Sequence, residues 1–211
     1  MKSSSRASIL VALTVLAVGA GAFAVWYGRS SKTEQLHGSF SAPVYSSLEE
    51  LTASADVVIE GVVQGVGGRE MDYGTADPAE RAEAERTGGL VPFVYYEIRV
   101  TEELKGDTPD IIVVGNVDGD RLISHDVTPL RTGERVILFL VLQVSAQDSP
   151  GLALFDSYYT TLSLDAGVFD VMANGTVQAR DAENLAETDR VLDRQEFEAK
   201  VSRGAGAAPD Q

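Results

Sequence analysis

Few side chains in this chain have the type and spacing to do chemistry. Ser124-His125-Asp126 sets a hydroxyl, an imidazole and a carboxylate in a row. A hydrolase would use His125 as the base, oriented by an acidic neighbour, with a serine such as Ser124 attacking. Consecutive side chains diverge in extended chain, so adjacency alone does not build that relay. Nor does the sequence hold a Gly-x-Ser-x-Gly elbow to present a nucleophile. The second histidine, His37, sits in a polar stretch and reads as a solvated residue. Just upstream, Asn116, Asp118 and Asp120 alternate like the opening of a calcium loop. Gly119 falls between the acids, however, and Val127 stands where a bidentate glutamate belongs. A turn at Asp118-Gly119 is the simpler reading. The third group is aromatic. Phe93 and Tyr95 fall on the polar side of one expected strand, and Tyr158 lies on another, which makes the three a candidate exposed binding strip. Cross-strand packing of the same rings is the competing expectation.

Composition narrows the classes these residues could serve. The chain has 211 residues, 44% of them hydrophobic, enough for one packed domain plus an anchor and too apolar for a disordered chain. It has no cysteine, which excludes disulfides, thiolate metal sites, a thiol nucleophile and a lipobox anchor. No cofactor is expected. All 32 acidic residues lie beyond Lys32, and four of the 17 basic residues (Lys2, Arg6, Arg29, Lys32) do not, so the remainder carries a formal charge of −19. Such a surface repels phosphate backbones, and no nucleic-acid partner is expected.

The elements that must position these side chains begin with an apolar run. Ala7 to Gly28 carries no charge, with Lys2 and Arg6 before it and Trp26, Tyr27, Arg29 and Lys32 at its far edge. As a helix, Ile9–Tyr27 would be roughly 28 Å long at about 1.5 Å per residue, close to the hydrocarbon thickness. Residues 1–28 therefore read as a cytoplasmic tip and a transmembrane signal anchor, with the C-terminal domain outside the cytoplasm. Cleavage after the small-x-small sites at Ala20-Gly21-Ala22 or Ala22-Phe23-Ala24, giving a secreted protein, is the alternative. Residues 29–46 read as a stalk and residues 47–203 as the folded domain.

Within that domain Ser47-Leu48-Glu49-Glu50 is a capping box opening a short helix that ends near Ser54. Asp56–Val66 is a valine-rich strand in which Gly61 and Gly65 share a face and imply bending or close backbone approach. Residues 67–90 lack an apolar stripe and read as an inserted loop, with Pro78 able to open an exposed helix. Val91–Glu103 alternates cleanly, and Ile111–Val117, Arg135–Val144, Tyr158–Leu164, Val168–Met172 and Thr176–Ala179 follow as strands. The nearly all-apolar Arg135–Val144 should be the most central. Asn174-Gly175 is expected to form a type I′ hairpin turn. Asp193-Arg194-Gln195-Glu196 opens a last helix, and residues 204–211 read as a disordered tail. The expected core has Val94, Tyr96, Ile98 and Val100 pointing inward with Ile137, Phe139 and Val141, or with their immediate neighbours.

Four segments in order carry a family likeness: Ala55-Asp56-Val57-Val58-Ile59-Glu60-Gly61-Val62-Val63, Val100–Gly106 ending Glu103-Leu104-Lys105-Gly106, Thr132-Gly133-Glu134-Arg135 with its apolar strand, and Gly167–Val177. The chain resembles a group of exported bacterial proteins of unknown function, and through them the OB-type barrel of netrin-like domains and tissue inhibitors of metalloproteinases. The resemblance implies a mainly β fold, an OB-like Greek-key barrel with short flanking helices, a β-sandwich being the alternative. It does not imply inhibition, because those inhibitors need a disulfide-fixed N-terminal cysteine. The function expected is a non-catalytic, membrane-anchored extracytoplasmic module for an envelope protein, peptide or glycan. The alternative is a hydrolase or metal-dependent enzyme using the Ser124, His125 and Asp126 region.

Overall fold

The computed structural model describes residues 36–37, 45–123, 127, 129–148, 150–162, 164–181 and 185–206. The expected transmembrane anchor and most of the stalk lie outside the described residues, as do Ser124, His125 and Asp126. Among the described residues no helix is long and apolar enough to cross a membrane.

The fold is mainly β. Among the described residues three helices of seven residues or more, α1 (Leu48–Ser54), α2 (Pro78–Thr87) and α3 (Arg194–Ala205), accompany the eight strands of the main sheet: β1 (Val57–Asp72), β2 (Val91–Lys105), β3 (Ile111–Val117), β4 (Arg135–Val144), β5 (Ser157–Thr161), β6 (Val168–Val171), β7 (Thr176–Ala179) and β8 (Val191–Asp193). The strands form one sheet in the order β8-β7-β6-β4-β1-β2-β3-β5, and β5 also pairs with β4. Hydrogen bonding therefore returns on itself through β1, β2, β3, β5 and β4. All these pairings are antiparallel except β3 with β5, where Val114 faces Tyr159 and Gly115 faces Thr160. Strands β6, β7 and β8 extend the sheet beyond that ring. A separate two-residue pairing joins Leu36–His37 to Leu122–Ile123 in parallel.

Three apolar clusters hold the sheet. Enclosed by the ring are Val57, Ile59 and Val63 of β1, Val94, Tyr96 and Ile98 of β2, Ile112 and Val114 of β3, and Val136, Leu138 and Leu140 of β4. The opposite side chains of β4, Ile137 and Phe139, pack with Leu48 and Leu51 of α1 and Phe197 and Val201 of α3. The β2 register expected from its alternation is the one found. For β4 the inward residues are the immediate neighbours of those first named, because a strand apolar on both faces gives no period to choose between them. Phe93, Tyr95, Leu152 and Tyr158 make the third cluster.

Local chemistry explains most boundaries. Ser47 caps α1 by accepting from the Glu50 amide (3.1 Å), while the Glu50 carboxylate accepts from the Ser46 amide (2.7 Å) rather than from that of Ser47. At its other end, Lys105 Nζ donates to the carbonyls of Thr52 (2.8 Å) and Ala55 (2.5 Å), a cation on the exposed C-terminal carbonyls of the helix. Asp193 caps α3 through the Glu196 amide (2.8 Å). Gly61 is required by close approach. A Cβ there would sit 2.5 Å from Ile98 Cγ2 and 3.0 Å from the Arg99 carbonyl, beside a register shift between Glu60 and Gly61. The bending expected of this strand is thus built from bulges.

Three local expectations change. Residues 67–72 are strand, not loop: Gly68 to Asp72 pair with Tyr95 to Val91, so the insertion is the end of a long two-stranded arm capped by α2. Backbone pairing to β2 overrides the low strand propensity of Gly67-Gly68-Arg69-Glu70. The hairpin at Gly175 has a three-residue loop rather than a two-residue type I′ turn. Met172 N–H donates to the Thr176 carbonyl (2.9 Å), and Gly175, at φ 84°, closes onto Met172. Finally, α3 runs through Gly204 to Ala205, because a glycine at 204 lets the helix lie against Glu49 and Thr52 of α1.

Ile98→Asp is expected to abolish cooperative unfolding, since an unpaired charge among buried side chains costs several kcal/mol, roughly the whole margin of stability. Arg99→Asp, on the exposed side of the same strand, should shift the thermal midpoint only slightly. The reverse pattern in thermal melts would refute this register.

A second prediction concerns acid. Buried Asp189 accepts from the Leu48 amide (2.7 Å) and from Lys200 Nζ (2.8 Å), so one carboxylate joins the start of α1 to α3. Burial pushes its pKa up, but those two donors outweigh burial and hold it below the usual value. A depressed folded pKa contributes stability that is complete above the unfolded value and lost as pH falls through the folded one. Asp189→Asn should cost about 1–3 kcal/mol at neutral pH. Its stability should also fall less steeply than that of the natural protein below about pH 4 in denaturant titrations.

Candidate functional site

Among the described residues, those singled out for chemistry do not assemble into one site; Ser124, His125 and Asp126 lie outside them. Phe93, Tyr95 and Tyr158 are buried, which corrects the expectation of an exposed strip. Tyr95 packs edge-on to Phe93 (centroids 5.2 Å) and to Tyr158 (5.1 Å), and the Phe155 ring lies 4.8 Å away. What covers them is the connection before β5. Glu70 of the arm receives the amides of Ala153 (3.0 Å) and Leu154 (3.1 Å) and the Tyr95 hydroxyl (2.6 Å). Burial and the neighbouring Glu70 carboxylate push the Tyr95 phenol well above its usual pKa. Gly68 leaves room for the Leu154 side chain, which a Cβ at 68 would meet directly. The strand face is polar in sequence, yet a distant segment buries it.

The Asn116, Asp118 and Asp120 group is an ion-pair network. Buried Asp118 accepts from Arg69 Nε (2.9 Å), Asp120 contacts Arg131 (2.9 Å), and Asn116 spans Thr161 (3.1 Å) and the Val117 amide (2.8 Å). These carboxylates face guanidinium groups, and no set of three or more His, Cys, Asp or Glu side chains able to hold a metal ion occurs among the described residues. Where the chain turns, Asp118 Oδ1 accepts from the Asp120 amide (3.2 Å), in line with the turn reading.

An open groove lies elsewhere, where β6 and β7 leave the ring and α3 begins. Its first recess, of about 430 Å³, is lined by Glu102, Arg135, Met172, Ala173, Arg194 and Glu198. The second, of about 500 Å³, adjoins it through Arg135, Val171 and Met172 and reaches Asp170, Gln178 and Arg180. Under the groove Glu60 of β1, only 1% exposed, holds the guanidinium groups of both Arg135 and Arg194. Arg194 also pairs with Glu198 and with Glu102 (2.7 Å), so each of its three nitrogens meets a carboxylate. Arg180 binds Asp170 and Glu134 (2.7 Å each) through Nε and Nη2, while its Nη1 is buried with no hydrogen bond to another described residue. Burial works against the charge on Arg180 and Arg194, but their carboxylate partners prevail and raise both pKa values. Arg135 differs: its side chain is 59% exposed, Nε alone binds Glu60, and its terminal nitrogens make no hydrogen bond to another described residue. Met172 beside it is 44% exposed.

Sequence reasoning passed over this groove. Its signal was Glu60, a lone carboxylate in a run of valines, which has to find a cation if the strand is buried. The partners at 135 and 194 could not be read from spacing. No family model matches the chain, and no curated protein matches it.

Replacing Glu70 by Ala should unclasp the 151–155 segment. The expected cost is about 1–3 kcal/mol, with faster amide exchange at Ala153 and Leu154 than in the natural protein. Unchanged protection at those two amides would mean that Glu70 does not hold the segment.

Proposed function

We propose that this protein is a membrane-anchored extracytoplasmic binding module, without catalytic activity, built on an OB-like barrel. The barrel reading is supported by the pairing that runs from β1 to β2 and β3, crosses in parallel to β5 and returns through β4. Likeness to netrin-like domains goes no further than the fold, since a chain without cysteine lacks the disulfide-fixed terminus of the metalloproteinase inhibitors. The anchor rests on the uncharged stretch from Ala7 to Gly28 and its basic and aromatic flanks.

The observation that carries the binding reading is the groove beside β6 and β7. The space enclosed by the ring is filled with side chains, whereas this outer groove is open and combines an exposed thioether with a half-free guanidinium. Small-molecule and peptide sites characteristically pair apolar lining with a few oriented polar groups. The partner class is an envelope protein, peptide or glycan, and the strongly negative surface disfavours nucleic acid.

The test is in cells. A photo-crosslinking residue at position 172 should give a discrete adduct, while the same residue at exposed Glu83 on α2 should not. An adduct from 83 alone would move the function to the arm, and none from 172 would refute the groove. Carbonate washing of membranes should leave the intact protein in the pellet.

A further inference from the structure

We infer that the groove reads a peptide's C-terminal carboxylate, with the Arg135 guanidinium as its receptor and Met172 as the seat for the last apolar side chain. This inference rests on the binding-module reading and deepens it. Two guanidinium groups converge on one buried carboxylate, Glu60, and they are not equivalent. Arg194 is saturated by three carboxylates. Arg135 spends Nε on Glu60, its terminal nitrogens bond no other described residue, and it lines both recesses in common with Val171 and Met172. A guanidinium fork offers parallel N–H donors that match the two oxygens of a carboxylate, and Glu60 fixes its orientation before any ligand arrives. Such preorganisation lowers the entropy lost on binding.

The surroundings select among anions. Glu102, Glu134, Asp170 and Glu198 ring the groove, and the whole chain carries a formal charge of −15. Each of the four is paired with Arg194 or Arg180, so none competes directly for Arg135, but their field repels further negative charge. A phosphate or a polyanion meets that field at two or more charges, while a carboxylate meets it at one. Val171, Met172 and Ala173 line the same recess as Arg135 and offer contact to an aliphatic side chain attached next to the carboxylate. A terminal residue such as valine or leucine supplies both features.

The chain's three methionines make the test direct, since Met172 lies in the groove and Met71 on the arm. Full-length protein in detergent, labelled at the methionine methyl carbons, is titrated with N-acetyl-valyl-leucine and, separately, with its C-terminal amide. The acid should move the Met172 methyl resonance along a saturating curve in roughly the millimolar range, with Met71 unmoved. The amide should bind about tenfold more weakly, the loss expected when a charge-assisted pair becomes a neutral one. Arg135→Gln should remove the preference for acid. Because that change also frees Glu60, the acid-against-amide comparison on the natural protein stands as the decisive arm. Equal binding of acid and amide, or no saturable movement of Met172, would overturn the inference. Neither result would touch the photo-crosslinking test of the groove itself, so failure of the ligand class and failure of the site remain separable.

Discussion

Strand β4 is the constraint on which the rest of the structure depends. One edge of Arg135–Val144 pairs with β1, and the other pairs first with β6 and then with β5. Val136, Leu138 and Leu140 fill the space enclosed by the ring, while Ile137 and Phe139 support α1 and α3. No residue from 136 to 140 can carry a polar side chain, because both faces and both edges are occupied. The polar residue that ends the run, Arg135, falls where the strand reaches the surface, and the groove is built around it.

Electrostatics in this chain is organised by scarcity. Arginine and lysine are outnumbered nearly two to one by acids, and the buried carboxylates Glu60, Asp118 and Asp189 each meet a cation. Arg69 covers Asp118, Lys200 covers Asp189, and Arg194 with Arg135 covers Glu60, while buried Arg180 is itself held by the partly exposed Asp170 and Glu134. Removing one partner from such a pair leaves an uncompensated charge, which costs far more than the intact pair contributes to net stability. These contacts link distant elements: Asp189 ties α1 to α3, and Glu60 ties the start of α3 to β1 and β4. A half-free guanidinium in so acidic a chain is therefore a conspicuous donor.

Much of the fold was legible because its causes are local. Ser47 and Asp193 mark helix starts through side chains that satisfy amides two or three residues on. The alternation of Val94, Tyr96, Ile98 and Val100 named the buried face of β2, since only one of its faces is apolar over that stretch. Ile111–Val117, Arg135–Val144 and Thr176–Ala179 begin and end at their turn residues. The limits of that reading are equally physical. Gly67-Gly68-Arg69-Glu70 has poor strand propensity and becomes strand because β2 is there to pair with it.

What the sequence by itself determined is the set of elements, their order and the polarity of most of their faces, because caps, turns and period-2 alternation act over a few residues. Tertiary structure alone decided which face of β4 the ring encloses, since an all-apolar strand carries no period. It decided that Phe93, Tyr95 and Tyr158 are covered, since Leu152, Leu154 and Phe155 come from some 60 residues away in sequence from Phe93 and Tyr95 and are held by Glu70. It also decided the groove. Glu60, Arg135 and Arg194 meet across 75 and 134 residues of chain, and only the folded geometry leaves one of the two guanidinium groups partly unspent.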